Sequence, residues 1–251
     1  MRKLGFINYK GGTGKTSCVV NLGHALAIQG KKVLIIDTDP QGSIQHHLGV
    51  SAPYSLYEIL MGEKTCAECI VNARPLLDVI VANERLYPAE LLMAKMKAKE
   101  TILSQRLASI SGYDFVLLDC APSINLLNQN VLLYATELLV PVSMEHLSLV
   151  GVKLLLNNIK IVNRIFGKSV IISKVIPTFF DKRNKKSTDI LESLKRVFPD
   201  SMSSAIRSSV SLSEVPGFKK TIFDYDPNSK GAQDYNQLTQ EVIEYAKTKE
   251  V

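Results

Sequence analysis

Residues 4–17 read LGFINYKGGTGKTS, and this stretch decides how the chain folds. A short apolar run that leads into glycines and then into a helical pattern is typical of a strand, a phosphate-binding loop and a helix N-terminus. The glycines let backbone N–H groups turn inward around phosphate oxygens, and the following helix adds partial positive charge at the same point. The sequence therefore predicts a polyphosphate site at residues 10–17.

The side chains of this loop suit a nucleotide. The predicted nucleotide-binding residues are Lys10, Gly11, Gly12, Thr13, Gly14, Lys15, Thr16 and Ser17. Lys15 is placed to neutralise the β- and γ-phosphates, and the Thr16 hydroxyl is placed to ligate Mg²⁺. The ordinary P-loop has a glycine where this chain has Tyr9, and Lys10 heads the string KGGTGKTS instead.

Beyond the loop, short runs rich in Val, Ile and Leu alternate with helical patterns. Strands are predicted at 3–8, 32–37, 77–81, 113–118, 137–142 and 170–176. Helices are predicted at 16–29, 89–110, 124–134, 147–166, 187–198 and 232–247. This alternation predicts an α/β fold of the P-loop NTPase class, with a mostly parallel twisted sheet covered by helices on both faces. With no repeat and no linker, we expect residues 1–251 to form one domain.

Composition narrows the class of protein. The chain has 251 residues, of which 46% are hydrophobic and 22% charged, so a folded core is expected rather than disorder. No apolar run is long enough to span a membrane, and Asn8 and Lys10 interrupt the start of any signal peptide. Four scattered cysteines do not form a disulfide framework, which favours a reducing cytoplasm.

Charge is concentrated in one third of the chain. Residues 151–220 contain fourteen lysines and arginines against five acidic residues, a net charge of +9, whereas the whole chain carries +6. Such a segment indicates either a face that binds a polyanion or a solvated helical surface.

Several ordered motifs together resemble one family, the ParA/Soj partition ATPases, which are relatives of MinD. The resemblance rests on the deviant Walker A string KGGTGKTS and on the segments 36–43 (IDTDPQGS), 115–123 (FVLLDCAPS), 141–151, 212–216 (LSEVP) and 225–232 (YDPNSKGA). They span nearly the whole chain in the family's order, each on the element that the fold requires.

The resemblance implies an ATPase that uses ATP and Mg²⁺ and switches between two states. In similar proteins, the lysine at the Lys10 position reaches across a homodimer to the partner's phosphates, so ATP is expected to give a dimer and ADP a monomer. The dimer is expected to bind non-specific DNA on the nucleoid in the cytoplasm. A ParB-like adaptor is expected to stimulate hydrolysis, and the cargo is a chromosome, a plasmid or a protein assembly.

Three carboxylates complete the predicted site. Asp119 ends an apolar strand opposite the loop, where a lone carboxylate is costly to bury without a cation, so a role in holding Mg²⁺ through water is expected. The resemblance implies that Asp39 orients the attacking water and that Asp37 lies near the metal. Either aspartate could instead cap a helix. Lys10, Lys15 and Asp39 are therefore the predicted catalytic residues.

The resemblance also assigns a DNA-binding role to basic residues in two regions. The candidates are Lys182, Arg183, Lys185, Lys186, Arg207, Lys219 and Lys220. Arg183 matches a position where the family has such an arginine, whereas Ser211 stands where many relatives have another. Six to eight phosphate contacts in a dimer predict a log–log salt slope of about −6.

An alternative function is a MinD-type spatial regulator that works at a membrane or a protein interface without DNA. The C-terminal residues 236–251 bear on this alternative, since MinD-like proteins end in a basic amphipathic anchor. Here Glu241, Glu244 and Glu250 offset Lys247 and Lys249. We therefore expect this helix to dock onto the core, and no membrane partner.

Overall fold

Seven strands lie side by side in the computed structural model, which describes residues 1–247 and the side chains up to Tyr245. The strands are β1 (Arg2–Phe6), β2 (Val33–Asp37), β3 (Val71–Arg74), β4 (Leu77–Ile80), β5 (Phe115–Asp119), β6 (Glu137–Ser143) and β7 (Ile172–Thr178). Their order in the sheet is β3-β4-β2-β5-β1-β6-β7.

The helices together cover the sheet. They are α1 (Lys15–Ile28), α2 (Ser43–Leu48), α3 (Leu56–Met61), α4 (Cys66–Cys69), α5 (Leu86–Met93), α6 (Ile102–Arg106), α7 (Leu126–Tyr134), α8 (His146–Phe166), α9 (Lys185–Val197), α10 (Val210–Glu214), α11 (Ile222–Tyr225) and α12 (Lys230–Lys247). Helices α1 to α8 lie between strands, and α9 to α12 follow the last strand. Short 3₁₀ turns lie at Lys99–Thr101 and Val215–Phe218.

The sheet confirms the predicted α/β fold. Every strand pair is parallel except β3 and β4, which are antiparallel. The strand β3 was not predicted, since its residues VNAR are only partly buried at the edge of the sheet and lack a continuous apolar run. Edge strands of four residues leave little periodicity to detect in a sequence.

Hydrophobic residues pack on both faces of the sheet, as expected. Along β2, Leu34 and Ile36 belong to the core on the side of α3, α7 and α8, whereas Ile35 belongs to the core on the side of α1 and α12. Helix α1 approaches the sheet closely at Gly23, where a Cβ atom would lie 2.9 Å from Cδ1 of Ile35.

The prediction of a single helix at 89–110 is wrong. Helix α5 ends at Met93, Ala98 adopts a left-handed φ of 51°, and α6 begins at Ile102. A tertiary contact stabilises this break, because the Asn130 side chain accepts a hydrogen bond from the Leu103 N–H at 3.0 Å and donates one to the Lys99 carbonyl at 2.9 Å.

The strand predicted at 170–176 is displaced by two residues. It begins at Ile172 and ends at Thr178, and so includes Pro177. Proline is tolerated there because β7 is the last strand of the sheet.

The C-terminal helix docks onto the core, as predicted for its described part. Leu238 and Val242 of α12 are buried, and α12 packs against α1. The charges of Lys249 and Glu250 lie outside the described residues. None of the described helices combines the length and the apolar character that crossing a bilayer requires.

Candidate functional site

The carboxyl ends of three neighbouring strands define the site. In the parallel register, Asp119 at the end of β5 lies opposite Asp37 of β2 on one side and Phe6 of β1 on the other. The loop 7–14 leaves β1 at this same edge. Ligands of open α/β sheets bind beyond the carboxyl ends of the strands, so the topology brings the predicted loop and carboxylates together.

The loop curls around a cleft of about 430 Å³. All the predicted binding residues from Gly11 to Ser17 line this cleft, together with Asp39. Gly12 and Gly14 have φ angles of 70° and 82°, a left-handed backbone that favours glycine. The loop ends at the N-terminus of α1, where backbone N–H groups and the helix dipole favour anion binding.

Lys15 is buried beneath the loop. Its Nζ donates hydrogen bonds to the carbonyl oxygens of Asn8, at 3.2 Å, and Lys10, at 3.3 Å. Burial lowers the pKa of Lys15, an effect that the neighbouring Asp119 carboxylate partly offsets. Among the described residues, no carboxylate lies within salt-bridge distance of this ammonium group. Its charge is thus available to a ligand in the cleft.

Thr16 and Asp119 form the candidate metal site. The Thr16 hydroxyl donates a hydrogen bond to Oδ2 of Asp119 at 2.6 Å, whereas the buried Oδ1 has no partner. Burial raises the pKa of Asp119 to about 7. An unpartnered buried carboxylate oxygen beside a hydroxyl is a donor set that fits a hard cation such as Mg²⁺.

The remaining ligands of such a cation would not come from further acidic side chains. No group of three or more His, Cys, Asp or Glu side chains able to hold a metal occurs in the part of the chain that the structure describes. Mg²⁺ commonly keeps several waters and binds substrate phosphates, and that mode of binding fits one carboxylate and one hydroxyl.

Asp37 is fully buried and both of its oxygens are engaged by the backbone. Oδ1 accepts a hydrogen bond from the Asp39 N–H at 3.0 Å, and Oδ2 accepts one from the Ile44 N–H at 3.1 Å. Ile44 lies in the first turn of α2, whose N-cap is Gly42 and supplies no side chain. Asp37 therefore acts as a cap for α2, and its proposed place near a metal stays a prediction.

Asp39 is half-buried and lines the cleft. One of its oxygens, Oδ1, accepts a hydrogen bond from the Gln41 N–H at 2.9 Å. The other has no hydrogen-bond partner among the described residues. A carboxylate oxygen exposed to the cleft can orient a water molecule.

Lys10 is the one predicted binding residue that does not line this cleft. Its Nζ pairs with the exposed carboxylate of Glu145 and donates a hydrogen bond to Oγ of Ser148 at 3.1 Å. Gly151 of α8 packs against the same loop, since a Cβ atom there would lie 2.5 Å from Oδ1 of Asn8. The Lys10 side chain thus points to the N-terminus of α8 instead of its own phosphate loop.

Sequence reasoning missed a pocket of about 340 Å³ beside Gly14 and Ser17. Its other walls include Phe179, Val210 and Pro216. Phe179 has a left-handed φ of 53°, which no sequence pattern indicated. The motif at 212–216 contributes to this wall of the pocket, but the sequence alone did not indicate which residues it would contact.

Asn128 was also missed. Its Nδ2 donates hydrogen bonds to the carbonyl oxygens of Ala121, at 2.8 Å, and Ser123, at 2.6 Å. These contacts hold the loop that follows Asp119, so Asn128 is a positioning residue for the site.

Three of the predicted DNA-binding residues, Lys182, Arg183 and Arg207, line one groove of about 650 Å³, and Lys230 joins them there. Both arginines of the groove have acidic partners. Arg183 pairs with Asp181 at 2.9 Å, and Arg207 pairs with Asp234 at 2.6 Å.

The other basic candidates lie elsewhere. Lys185 is the first residue of α9, and Lys186 lines a second cleft with Gly12 and Glu145. Lys219 packs against Gly49, and Lys220 follows it in the chain. The predicted DNA-binding residues therefore do not form one continuous surface: three of them line the groove, and the other four lie outside it.

The chain is similar to known proteins over most of its length. Residues 1–172 match a family model described as an AAA domain. The chain is 36% identical over 242 residues to the sporulation initiation inhibitor protein Soj of Bacillus subtilis, with 94% of this chain and 95% of Soj covered. It is 36% identical over 251 residues to the chromosome partitioning protein ParA of Caulobacter vibrioides, with 97% and 94% covered.

The chain is also similar to a solved structure of a protein with a different name from these relatives. The cobyrinic acid a,c-diamide synthase of Mycobacterium smegmatis, with a bound ATP analog and magnesium, has a TM-score of 0.86 and 29% identity to this chain, with 98% of this chain and 96% of that chain covered.

Proposed function

Because the chain belongs to the ParA/Soj family of partition ATPases, we propose that it is a DNA-bound switch driven by ATP. It works as one ATPase domain over residues 1–251, binds ATP with Mg²⁺, and forms a homodimer that binds non-specific DNA. A ParB-like protein stimulates hydrolysis, and the complex segregates a chromosome, a plasmid or a protein assembly on the nucleoid in the cytoplasm.

One observation carries the nucleotide part of this proposal. The buried Lys15 lines the cleft, and Asp119, whose Oδ1 has no partner, contacts Thr16 of the same loop. An unpaired ammonium and an unpaired carboxylate are costly in a protein interior, and a phosphate group with its metal satisfies both.

The residues of the cleft then have separate tasks in hydrolysing ATP to ADP and phosphate. Backbone N–H groups from Gly11 to Lys15 bind the phosphates, and Lys15 stabilises their charge. Thr16 and Asp119 hold the Mg²⁺, which neutralises part of the phosphate charge when bound. Asp39 accepts a hydrogen bond from the attacking water and orients it.

The pocket next to Gly14 supports a nucleobase as part of the ligand. It adjoins the phosphate cleft through Gly14 and Ser17, and Phe179 borders both spaces. Apolar walls with a few polar groups are typical of sites that bind a planar base.

The position of Lys10 supports an action on the partner subunit. Its ammonium group lies outside its own cleft and is held by Glu145, an exposed residue that a second subunit can reach. A cation supplied by the partner is present only in the dimer, so hydrolysis and dimerisation are coupled.

Sedimentation velocity with a non-hydrolysable ATP analogue and with ADP tests this switch. We expect a dimer with the analogue, a monomer with ADP, and a monomer in both states for Lys10→Ala. Lys31→Ala, which removes a lysine outside the site, is the matched control and should dimerise normally. Equal sedimentation of the native protein in both nucleotides, or a dimer that survives Lys10→Ala, contradicts the proposal.

DNA binding is tested with a short duplex of arbitrary sequence at several salt concentrations. The double variant Lys182→Glu/Arg183→Glu, which changes two residues of the groove, should weaken binding of the analogue-bound dimer, since phosphate contacts provide most non-specific affinity. Lys95→Glu/Lys97→Glu makes the same charge change at exposed lysines away from the groove and should have little effect. Undiminished binding by the first variant would show that these cations form only a solvated surface.

A further inference from the structure

Helix α8 is apolar on two sides, although only one of them faces the core. Val152, Leu155, Ile159 and Val162 are buried against the sheet. A second row of apolar residues is exposed to solvent. These are Leu147, Val150, Leu154, Ile161 and Ile165, here named the α8 stripe, with exposed fractions of 45% to 70%.

The spacing of the α8 stripe matches a coiled-coil seam. Successive members from Leu147 to Leu154 are three and four residues apart, and Asn157 and Ile161 continue the same alternation. The alternation ends there, because Ile165 is four residues after Ile161. Apolar residues at this spacing form a continuous row along one side of a helix and pack against a second helix. Asn157 is exposed in the middle of the row, where a polar residue specifies the register of the partner.

Positive charge borders the α8 stripe. Lys153 and Lys160 are exposed on its flank and Arg164 is exposed at the end of the row, and none of them forms a salt bridge with a described residue. The sequence contains no aspartate or glutamate from residue 146 to residue 180. The helix therefore offers an apolar row beside uncompensated cations over its 21 residues.

We propose that the α8 stripe binds an amphipathic helix of a partner protein whose residues flanking the apolar seam are acidic. The apolar row would bury the partner's seam, and Lys153, Lys160 and Arg164 would pair with its carboxylates. The proposal concerns binding alone and does not depend on the nucleotide switch.

Two other occupants fit the α8 stripe less well. A second copy in a two-fold contact would place the same basic flank against itself, and like charges across a contact are unfavourable. A membrane surface would meet a narrow row that contains Asn157 and is bordered by exposed cations on one flank only, whereas interfacial helices present a broad apolar face.

The docked helix would lie beside the phosphate loop. On α8, Gly151 and Asn158 follow Leu147 and Leu154 by four residues and so lie next to them on the helix surface. Gly151 packs against Asn8 and Lys10, and Nδ2 of Asn158 donates a hydrogen bond to the Tyr9 hydroxyl.

Fluorescence anisotropy with the full chain tests this surface. The probes are two labelled 21-residue helical peptides with the same leucine seam and one matching asparagine, one with glutamate and the other with lysine at the flanking positions. We expect the glutamate peptide to bind about tenfold more tightly, because opposite charges replace like charges along the contact.

Matched variants locate the binding site. Leu154→Ser/Ile161→Ser should weaken binding of the glutamate peptide about tenfold or more, since it removes two apolar members of the seam. Leu91→Ser/Leu92→Ser changes two exposed leucines of α5 and should leave binding unchanged. Lys153→Glu/Lys160→Glu should reverse the preference between the two peptides. Circular dichroism checks that each variant is folded.

The same variants separate the competing occupants. Failure of the glutamate peptide to bind, equal binding of the two peptides, or binding that Leu154→Ser/Ile161→Ser leaves intact would overturn the proposal. It would also be overturned if that variant instead abolished self-association in sedimentation, or co-sedimentation with phosphatidylcholine–phosphatidylglycerol vesicles.

Discussion

The phosphate loop and the basic groove both carry charge, but they hold it in opposite ways. In the loop, Lys15 is buried without a salt-bridge partner, and one oxygen of Asp119 is unpartnered. In the groove, Arg183 and Arg207 each pair with an aspartate. The loop is therefore an incomplete arrangement that a ligand can complete, whereas any polyanion would have to compete with internal carboxylates for the arginines of the groove.

Replacing Lys15 with methionine should give the largest effect. We expect ATP hydrolysis to fall about 100- to 1,000-fold, because a buried charge that stabilises the transition state is lost. Phosphate release measures this loss.

The same Lys15→Met substitution should not lower the thermal stability of the nucleotide-free protein. Burial lowers the pKa of Lys15, so the unfolded chain binds this proton more strongly than the folded chain, and the free energy of unfolding is reduced as pH falls below the ordinary lysine value. At pH 8 without nucleotide, Lys15→Met should therefore unfold at a temperature no lower than the native protein. A marked decrease would mean that this charge stabilises the fold.

Replacing Arg207 with methionine should, in contrast to Lys15→Met, lower the stability of the fold. Asp234 is mostly buried and receives hydrogen bonds from Nε and Nη2 of Arg207. Losing them should cost about 1.5 to 3 kcal/mol, a decrease of about 3 to 12 °C in Tm for a chain of this size. Arg183→Met, which breaks an exposed pair, is the control and should change Tm little. Equal Tm values for both variants would show that the Arg207 pair adds no stability.

Lys230 offers a test of the groove without a competing carboxylate. Lys230 is exposed, lines the groove and forms no salt bridge with a described residue. Lys230→Ala should reduce the salt slope of DNA binding by about one per subunit, with little change in Tm. The slope is measured from duplex affinity at several salt concentrations, with Lys95→Ala as the control. An unchanged slope would remove Lys230 from the DNA contact.

The smallest effect is expected at Glu145. Glu145→Gln removes the charge that holds Lys10 and should lower the dissociation constant of the ATP-bound dimer by no more than about 5-fold, because exposed ion pairs are weak. Sedimentation at several protein concentrations measures this constant. A weaker dimer would mean that Glu145 itself contributes to the contact between subunits.

The nucleotide edge could be predicted from the sequence because its determinants are local. A strand followed by KGGTGKTS fixes the loop, and two further strands that end in aspartate converge on it in any parallel sheet. The role of Asp37 could not be decided in this way, since its bonds to the backbone of Asp39 and Ile44 depend on how the next loop turns.

The sequence did not predict which basic residues form the groove, because they come from distant segments of the chain. Arg207 and Lys230 meet through the packing of α12, and no spacing in the sequence records that contact. The break between α5 and α6 has a similar origin, since the polar side chain of Asn130 on a neighbouring helix replaces the backbone partners that a continuous helix would provide.

The close approach at Gly151 has a mechanical consequence. With only a hydrogen atom at this position, the side of α8 lies directly on Asn8, whose Oδ1 also accepts a hydrogen bond from the Lys10 N–H at 3.1 Å. A sliding movement of the helix cannot be absorbed by a flexible side chain at this point. A methyl group at position 151 would lie 2.5 Å from Oδ1 of Asn8 and 3.3 Å from the backbone nitrogen of Lys10, so the helix and the loop would have to move apart.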